Sequence, residues 1–142
     1  MKEMQFEIEI NAPRGKVWNA LWQDETLRDW AGLVDPGTCM VGELREGSTV
    51  QFISAEGYGV TSLVSKLIPN EYVLFEHQAD TKNQGSDIRD DQWTGGKESY
   101  RLTDESGATS LVMTFDVPDE LEQAMRDSHP KALERVKELS EG

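Results

Sequence analysis

The last part of the sequence, from Asp119 to Leu139, constrains the fold more than any other stretch. Apolar residues recur there at helical spacing on one broad face, and charged residues occupy most of the other face. Pro118 and Asp119 are typical of a helix start, and a helix of about 20 residues spans roughly 30 Å. The apolar face predicts that this helix covers an apolar surface. Pro130, inside the segment, predicts a kink or a restart near residues 128–129.

The chain before this helix is mostly β-strand. Met4, Phe6, Ile8 and Ile10 alternate with polar residues, which predicts a strand with one wet face. Two short helices follow, the first over residues 14–22 and the second from residue 24 to Gly32. Six further strands are predicted over residues 38–43, 48–54, 60–68, 72–78, 98–102 and 109–115. Consecutive strands at hairpin spacing indicate an antiparallel sheet, so the sequence predicts an α+β fold in one domain over residues 1–142.

Residues 79–96 form a polar stretch in which Ile88 and Trp93 are the only large apolar residues. A loop of this length in a compact domain is mobile or functional. Between residues 80 and 91 Gly85 falls at the sixth position of a calcium-binding loop. Lys82 and Gln84 occupy two positions that should carry ligands, so a solvated loop is the prediction. The two histidines and the one cysteine lack zinc-site spacing, and no metal or cofactor is predicted.

Net charge limits the partners that we expect. The chain carries 27 acidic and 14 basic residues, a formal net charge of -13. Such a field repels phosphate backbones and anionic lipids, so we expect neither nucleic acid nor membrane as a partner. One cysteine, Cys39, allows no intrachain disulfide, and no apolar run reaches the roughly 18 residues of a membrane span. We therefore expect a cytoplasmic protein.

Several short residue groups occur in a fixed order along the whole chain. They are Glu-Ile-Glu-Ile-Asn-Ala-Pro at 7–13, Lys-Val-Trp at 16–18, Ala-Leu at 20–21, Leu27, Trp30, Pro69, Gly-Ala-Thr at 107–109, Leu111, and Ala-Leu-Glu-Arg-Val-Lys at 132–137. With the order of elements, they resemble the helix-grip fold of the START and birch-pollen-allergen superfamily. The branch similar to the activator of heat-shock-protein-90 ATPase is the nearest likeness. His129 stands where that family often has Trp, and the 79–96 loop is longer than is usual.

The resemblance implies a curved antiparallel sheet of about seven strands that grips the C-terminal helix around a hydrophobic cavity. Aromatic and other large side chains on the faces toward that cavity are the candidate ligand-binding set, although they could equally fill a core. The set is Trp30, Phe52, Tyr58, Phe75, His77, Trp93, Tyr100, Met113, Phe115, Met125, His129 and Leu133. The candidate polar groups at its mouth are Glu98, Arg101, His77 and Tyr58. The leading hypothesis is non-catalytic binding of a small hydrophobic or amphipathic ligand.

Two alternatives stay open. The resemblance also implies a chaperone-interacting module, for which the acidic surface would suit a basic partner. A cyclase or hydrolase of the polyketide-cyclase kind would need an acid–base pair in the cavity, and His77 with Glu98 or Asp116 is the candidate pair. His77 shares its predicted strand face with Val73 and Phe75, which favours a hydrogen-bonded histidine in the core or at the cavity rim.

Overall fold

The computed structural model describes residues Met1–Gly142 and contains eight strands and three α-helices. In chain order they are β1 (Lys2–Ile10), α1 (Arg14–Trp22), α2 (Asp24–Ala31), β2 (Cys39–Val41), β3 (Thr49–Ile53), β4 (Gly59–Ile68), β5 (Tyr72–Lys82), β6 (Asp87–Ile88), β7 (Lys97–Glu105), β8 (Ala108–Val117) and α3 (Glu122–Glu141). A 3₁₀ turn at Asp119–Leu121 leads into α3. None of the helices is both long enough and apolar enough to cross a membrane.

The strands form one antiparallel sheet in the order β1-β8-β7-β5-β4-β3-β2, with the two-residue β6 paired beside β5. This curled half-barrel, with short helices after its first strand and a long C-terminal helix, confirms the predicted α+β helix-grip fold. Two register shifts interrupt the pairing of β4 with β5, at Thr61/Ser62 and Val64/Lys66. Such bulges bend a strand and increase its twist, so they help the sheet to curve around α3.

The inner face of the sheet follows from period-two alternation. On β5 the residues Val73, Phe75 and His77 are buried, and on β8 Leu111 and Phe115 are buried. The apolar side chains among them join residues of α1, α2 and α3 in one core cluster of 23 buried residues. The helices therefore lie against the concave face of the sheet.

Helix α3 runs without interruption through Pro130, so the predicted restart near residues 128–129 is wrong. Proline removes one N–H and leaves the carbonyl four residues earlier, that of Arg126, without its helical donor. Pro130 and Arg126 are both exposed, whereas His129 and Ala132 point into the protein. Water can serve a carbonyl on the exposed side, which is why the helix continues.

The polar stretch 79–96 is more ordered than the sequence suggests. Strand β5 extends to Lys82, and its last two residues pair with β6 in the register Thr81↔Ile88 and Lys82↔Asp87. The turn between them uses Asn83, with φ of 55°, a left-handed conformation that asparagine tolerates. Residues 82–88 are mostly exposed, as predicted, but the prediction of a loop is wrong for residues 79–88, which are largely a short hairpin.

Candidate functional site

A cavity of about 440 Å³ lies between the inner face of the sheet, α2 and the N-terminal half of α3. Twenty-four residues line it and 14 of them are hydrophobic, so its wall is mainly apolar. Helix α2 supplies Leu27, Trp30 and Ala31, while α3 supplies Met125 and His129 among others. Strands β3 to β5, β7 and β8 form the floor, and residues 89–93 form one side of the mouth.

Nine of the twelve candidate residues line this cavity. They are Trp30, Phe52, Tyr58, His77, Trp93, Tyr100, Phe115, Met125 and His129. Of the four candidate polar groups at the mouth, Glu98, His77 and Tyr58 line the cavity but Arg101 does not. Tyr58 is exposed, whereas His77 is buried and so does not lie at the mouth. The Arg101 guanidinium instead lies 4.3 Å from the centre of the Tyr72 ring. Strand alternation therefore predicted the correct face of the sheet. Which residues of that face border the cavity depends on where the helices leave space above the sheet.

Phe75, Met113 and Leu133 do not reach the cavity. The ring of Phe75 lies 5.5 Å from that of Trp22 and 5.3 Å from that of Phe52, so neighbouring rings cover it. Met113 is fully buried in the core cluster. Leu133 borders a separate shallow groove beside β1. Phe75 and Met113 are enclosed by the core, and Leu133 borders a different groove. Alternation along a strand or a helix does not distinguish such residues from those that border the cavity.

A short hydrogen-bonded series crosses the sheet at the floor of the cavity. Ser62 Oγ and His77 Nδ1 are 2.7 Å apart, and His77 Nε2 lies 3.4 Å from Glu98 Oε1. A neutral imidazole protonated on Nε2 satisfies both contacts, since it accepts from the Ser62 hydroxyl and donates to the carboxylate. Tyr100 Oη donates to Glu98 Oε2 over 2.5 Å. Burial, together with the charge of Glu98, raises the pKa of Tyr100 well above its usual value.

His129 behaves as an aromatic residue of the core. It is 3% exposed, and its ring centre lies 4.9 Å from that of Phe6 and 4.7 Å from that of Phe115. Burial lowers the pKa of His129 to about 4, although the negative charge of Glu98 and a hydrogen bond with the Met125 backbone act in the opposite direction. The imidazole is therefore neutral at neutral pH and lines the cavity as an uncharged ring.

The side of the mouth formed by residues 89–93 is anchored by Asp80, whose side chain is fully buried. Asp80 Oδ1 accepts hydrogen bonds from the backbone N–H groups of Gln92, Trp93 and Thr94, each at 2.9 Å, and from the Thr94 hydroxyl. Burial alone would raise the pKa of Asp80, but these hydrogen bonds outweigh it and lower the pKa below its usual value. The carboxylate thereby fixes Trp93 over the cavity.

Arg89, in the same segment, lines the cavity, and no pattern in the sequence singles it out. Its Nη2 lies 3.9 Å from Asp80 Oδ2, and its guanidinium lies 4.9 Å from the centre of the Tyr58 ring. Only the fold shows that Asp80 and Arg89 meet. The one sequence signal was Trp93, a large apolar residue in an otherwise polar segment.

Of the residues considered for covalent chemistry, only the candidate acid–base pair His77 and Glu98 meets at the cavity, with 3.4 Å between Nε2 and Oε1. Ser62 is fully buried and does not line the cavity, so it cannot meet a substrate as a nucleophile. Asp116, one candidate partner of His77, lies outside the cavity, where its carboxylate accepts from the Lys97 backbone N–H. Cys39 does not line the cavity either. No group of three or more His, Cys, Asp or Glu side chains is placed to hold a metal ion.

Comparison with known proteins places the whole chain beside one family. The sequence model of the family described as "Activator of Hsp90 ATPase homolog 1-like protein" matches residues 11–141. No curated protein matches the chain at a significant level. Among solved structures, the Aha1 dimer from Colwellia psychrerythraea is 25% identical with a TM-score of 0.72, over 99% of this chain and 97% of that one.

Two further solved structures agree in fold. Protein MLL2253 from Mesorhizobium loti is 17% identical with a TM-score of 0.74, over 97% of this chain and 96% of that one. Protein CV1439 from Chromobacterium violaceum is 18% identical with a TM-score of 0.72, over 100% of this chain and 99% of that one. At these identities the likeness shows a common fold and nothing about activity.

Proposed function

The chain belongs to the family of activator of Hsp90 ATPase homolog 1-like proteins, and from this premise we propose that it binds a small hydrophobic or amphipathic ligand without covalent chemistry. The ligand would occupy the cavity between the sheet, α2 and α3. The single observation that carries the proposal is the space itself, because about 440 Å³ falls in the range of small-molecule sites, roughly 300–1,000 Å³. Well-packed interiors leave few voids larger than a water molecule.

The nine candidate residues at the cavity would contact the ligand. Most of the contact would be apolar, from rings such as Trp30, Phe52 and Phe115, while Glu98 and His77 would supply the few polar contacts that orient it. No reacting group is needed in this function. The proposal keeps the expected reducing, cytoplasmic setting, which the single Cys39 suits.

Blocking the mouth tests this proposal. Ala124 is exposed on α3 and lines the cavity, so Ala124→Trp should place an indole in the opening and lower ligand affinity at least about tenfold. Gln123→Trp is the matched control, because Gln123 is the exposed neighbour that does not line the cavity. Isothermal titration with a panel of lipids and aromatic metabolites would provide the measurement. No binding by the unmodified protein, or equal binding by both variants, would contradict the proposal.

A second candidate function is interaction with a chaperone. It is favoured by one observation, the 25% identity over nearly full length to a protein named Aha1. The net charge of -13 would favour a basic partner surface, and a contact led by charge weakens as salt screens it. Purified Hsp90 should then bind at low salt and less at moderate salt. Absence of binding at both salt concentrations would rule this candidate out.

A further inference from the structure

Two carboxylates, Asp35 and Glu98, line the cavity with no lysine or arginine at ion-pair distance, and of these Asp35 is exposed whereas Glu98 is mostly buried. Glu98 lines the cavity, and its side chain is 16% exposed. Its two recorded partners are the Tyr100 hydroxyl on Oε2 and His77 Nε2 at 3.4 Å from Oε1, and neither a lysine nor an arginine lies within ion-pair distance. An ionised carboxylate offers about four acceptor positions, so the two partners leave part of this capacity to whatever fills the cavity.

The cationic group at the cavity has a partner already. Arg89 lies 3.9 Å from the buried carboxylate of Asp80, donates to Gln92 Oε1 over 3.3 Å and sits over the Tyr58 ring. A ligand anion at Arg89 would therefore compete with Asp80, whereas a ligand cation at Glu98 would displace no charged group. Arg89 and Glu98 thus differ in what they offer a charged ligand.

Filling the cavity removes water from Glu98. A buried carboxylate that loses hydrogen bonds without replacement is strongly disfavoured. A ligand that is apolar throughout would leave Glu98 in this state, and a ligand carboxylate there would add repulsion. A ligand group that donates hydrogen bonds restores the lost contacts, and a positively charged donor adds attraction that is strong in a site shielded from water.

The rings around Glu98 favour the same kind of group. In the sheet, Glu98 stands directly opposite Phe115 of β8, and Tyr100 lies two residues further along the same face of β7. The Tyr100 and Phe115 ring centres are 5.9 Å apart. Aromatic faces attract organic cations, and the overall charge of -13 raises the local concentration of cations around the protein.

We propose that the ligand is a hydrophobic amine, whose protonated nitrogen binds Glu98 and whose apolar body fills the cavity beside Tyr100 and Phe115. This inference rests on the proposed ligand-binding function and specifies the chemical class of the ligand. The Glu98 carboxylate accepts from the ammonium group, and the aromatic wall contacts both the cation and the body.

The test uses four naphthalene derivatives that differ only in the group on one side chain: 2-naphthylmethylamine, 2-naphthylmethanol, 2-ethylnaphthalene and 2-naphthylacetic acid. Isothermal titration at neutral pH should rank them amine, alcohol, hydrocarbon, acid. A hydrogen bond to a charged group contributes about 1.5–3 kcal/mol, so the amine should bind roughly 10- to 100-fold more tightly than the hydrocarbon.

Glu98→Gln keeps the size and an acceptor for Tyr100 but removes the charge, so it should weaken the amine about tenfold or more. The hydrocarbon, which no longer removes water from a charge, should bind the variant at least as tightly as the unmodified protein. Retained hydrocarbon binding also shows that the variant is folded. Glu76→Gln is the control for net charge, because Glu76 lies on the opposite face of the neighbouring strand β5 and does not line the cavity. It should leave all four affinities unchanged.

The outcomes separate this inference from the function on which it rests. Equal affinity for all four compounds, or tightest binding of the acid, would overturn the amine assignment while ligand binding stands. Equal loss of amine affinity in Glu98→Gln and Glu76→Gln would also overturn it. Failure of every compound to bind, together with the wider panel, would overturn the proposed function itself.

Discussion

The two halves of α3 lie against the same sheet, but the C-terminal half packs closely there and the N-terminal half leaves a cavity. In the C-terminal half, Ala132, Val136 and Ser140 are at most 1% exposed, and the end of the helix is tied to the start of the chain. Glu141 Oε2 accepts from the Asn11 backbone N–H over 2.7 Å. In the N-terminal half, Met125 and three of its neighbours line a cavity.

The two halves of this helix contribute differently: the C-terminal half contributes to stability, and the N-terminal half borders the space for a ligand. Ala132 is small and fully buried, and it lets the C-terminal half approach the core closely. The N-terminal half contacts the core through Met125 and His129. At its margin Lys2 pairs with Glu122 at 3.1 Å, and exposed pairs of this kind contribute little. The C-terminal half, here called the solid end, can therefore stabilise the fold. The N-terminal half, here called the hollow end, keeps a space that a fully packed interface would lose.

The largest expected effect comes from placing the same new charge at the two ends. Val136→Asp buries a carboxylate in the solid end, where Val136 is fully buried, and should lower the free energy of unfolding by more than about 4 kcal/mol. Ser128→Asp lies at the cavity and should cost about 1 kcal/mol or less, because its carboxylate stays hydrated. Urea unfolding of both variants, with Val136→Thr as a milder case, provides the comparison. Similar losses of unfolding free energy in Val136→Asp and Ser128→Asp would contradict the difference in packing between the two halves of α3.

A middle-sized effect is expected at the mouth of the hollow end. Asp80→Asn removes the charge that accepts from three backbone N–H groups and the Thr94 hydroxyl, and should lower the free energy of unfolding by about 2 kcal/mol. Amide hydrogen exchange of residues 92–94 should accelerate more than exchange in α3. Asp91→Asn is the control, since Asp91 is exposed in the same segment. Unchanged exchange at residues 92–94 would show that Asp80 does not hold this wall.

An effect of similar size is a pH dependence at the boundary between the two ends. The pKa of His129 is lowered to about 4 in the folded protein, against about 6.5 when unfolded. The unfolded chain therefore binds the proton first, so the contribution to stability is complete above pH 6.5 and is lost as pH falls toward 4. At pH 5 the loss is about 2 kcal/mol.

His129→Phe keeps a ring between Phe6 and Phe115 and cannot take up a proton. The difference in unfolding free energy between the variant and the unmodified protein should shift by about 2 kcal/mol in favour of the variant between pH 7 and pH 5. Urea unfolding at the two pH values checks this. A difference that stays constant would mean that His129 is not held neutral by burial.

Local sequence patterns predicted the elements well where a residue's environment depends on its near neighbours. Met4, Phe6, Ile8 and Ile10 alternate as predicted, and α1 has the predicted bounds. Pro130 did not break α3, because its exposed position reduces the cost of the missing hydrogen bond. That position depends on how the helix packs.

The candidate site was predictable to the level of strand faces and no further. Phe75 and Phe115 both point inward, yet only Phe115 borders the cavity, since the Trp22 ring from α1 lies against Phe75. The anchoring of residues 92–94 by Asp80 spans 12 to 14 positions in the sequence and leaves no periodic signal. Which side chain covers another is set by tertiary contacts that a local pattern does not encode.

Xenon binding in crystals tests the contrast between the two ends most directly, because xenon enters apolar cavities without requiring a particular ligand. The structure predicts xenon in the space lined by Trp30, Phe52 and Phe115, and none where Ala132, Val136 and Ser140 of α3 meet the core. Absence of xenon from the first space, with side chains such as Phe52 and Trp93 turned in to fill it, would contradict the account.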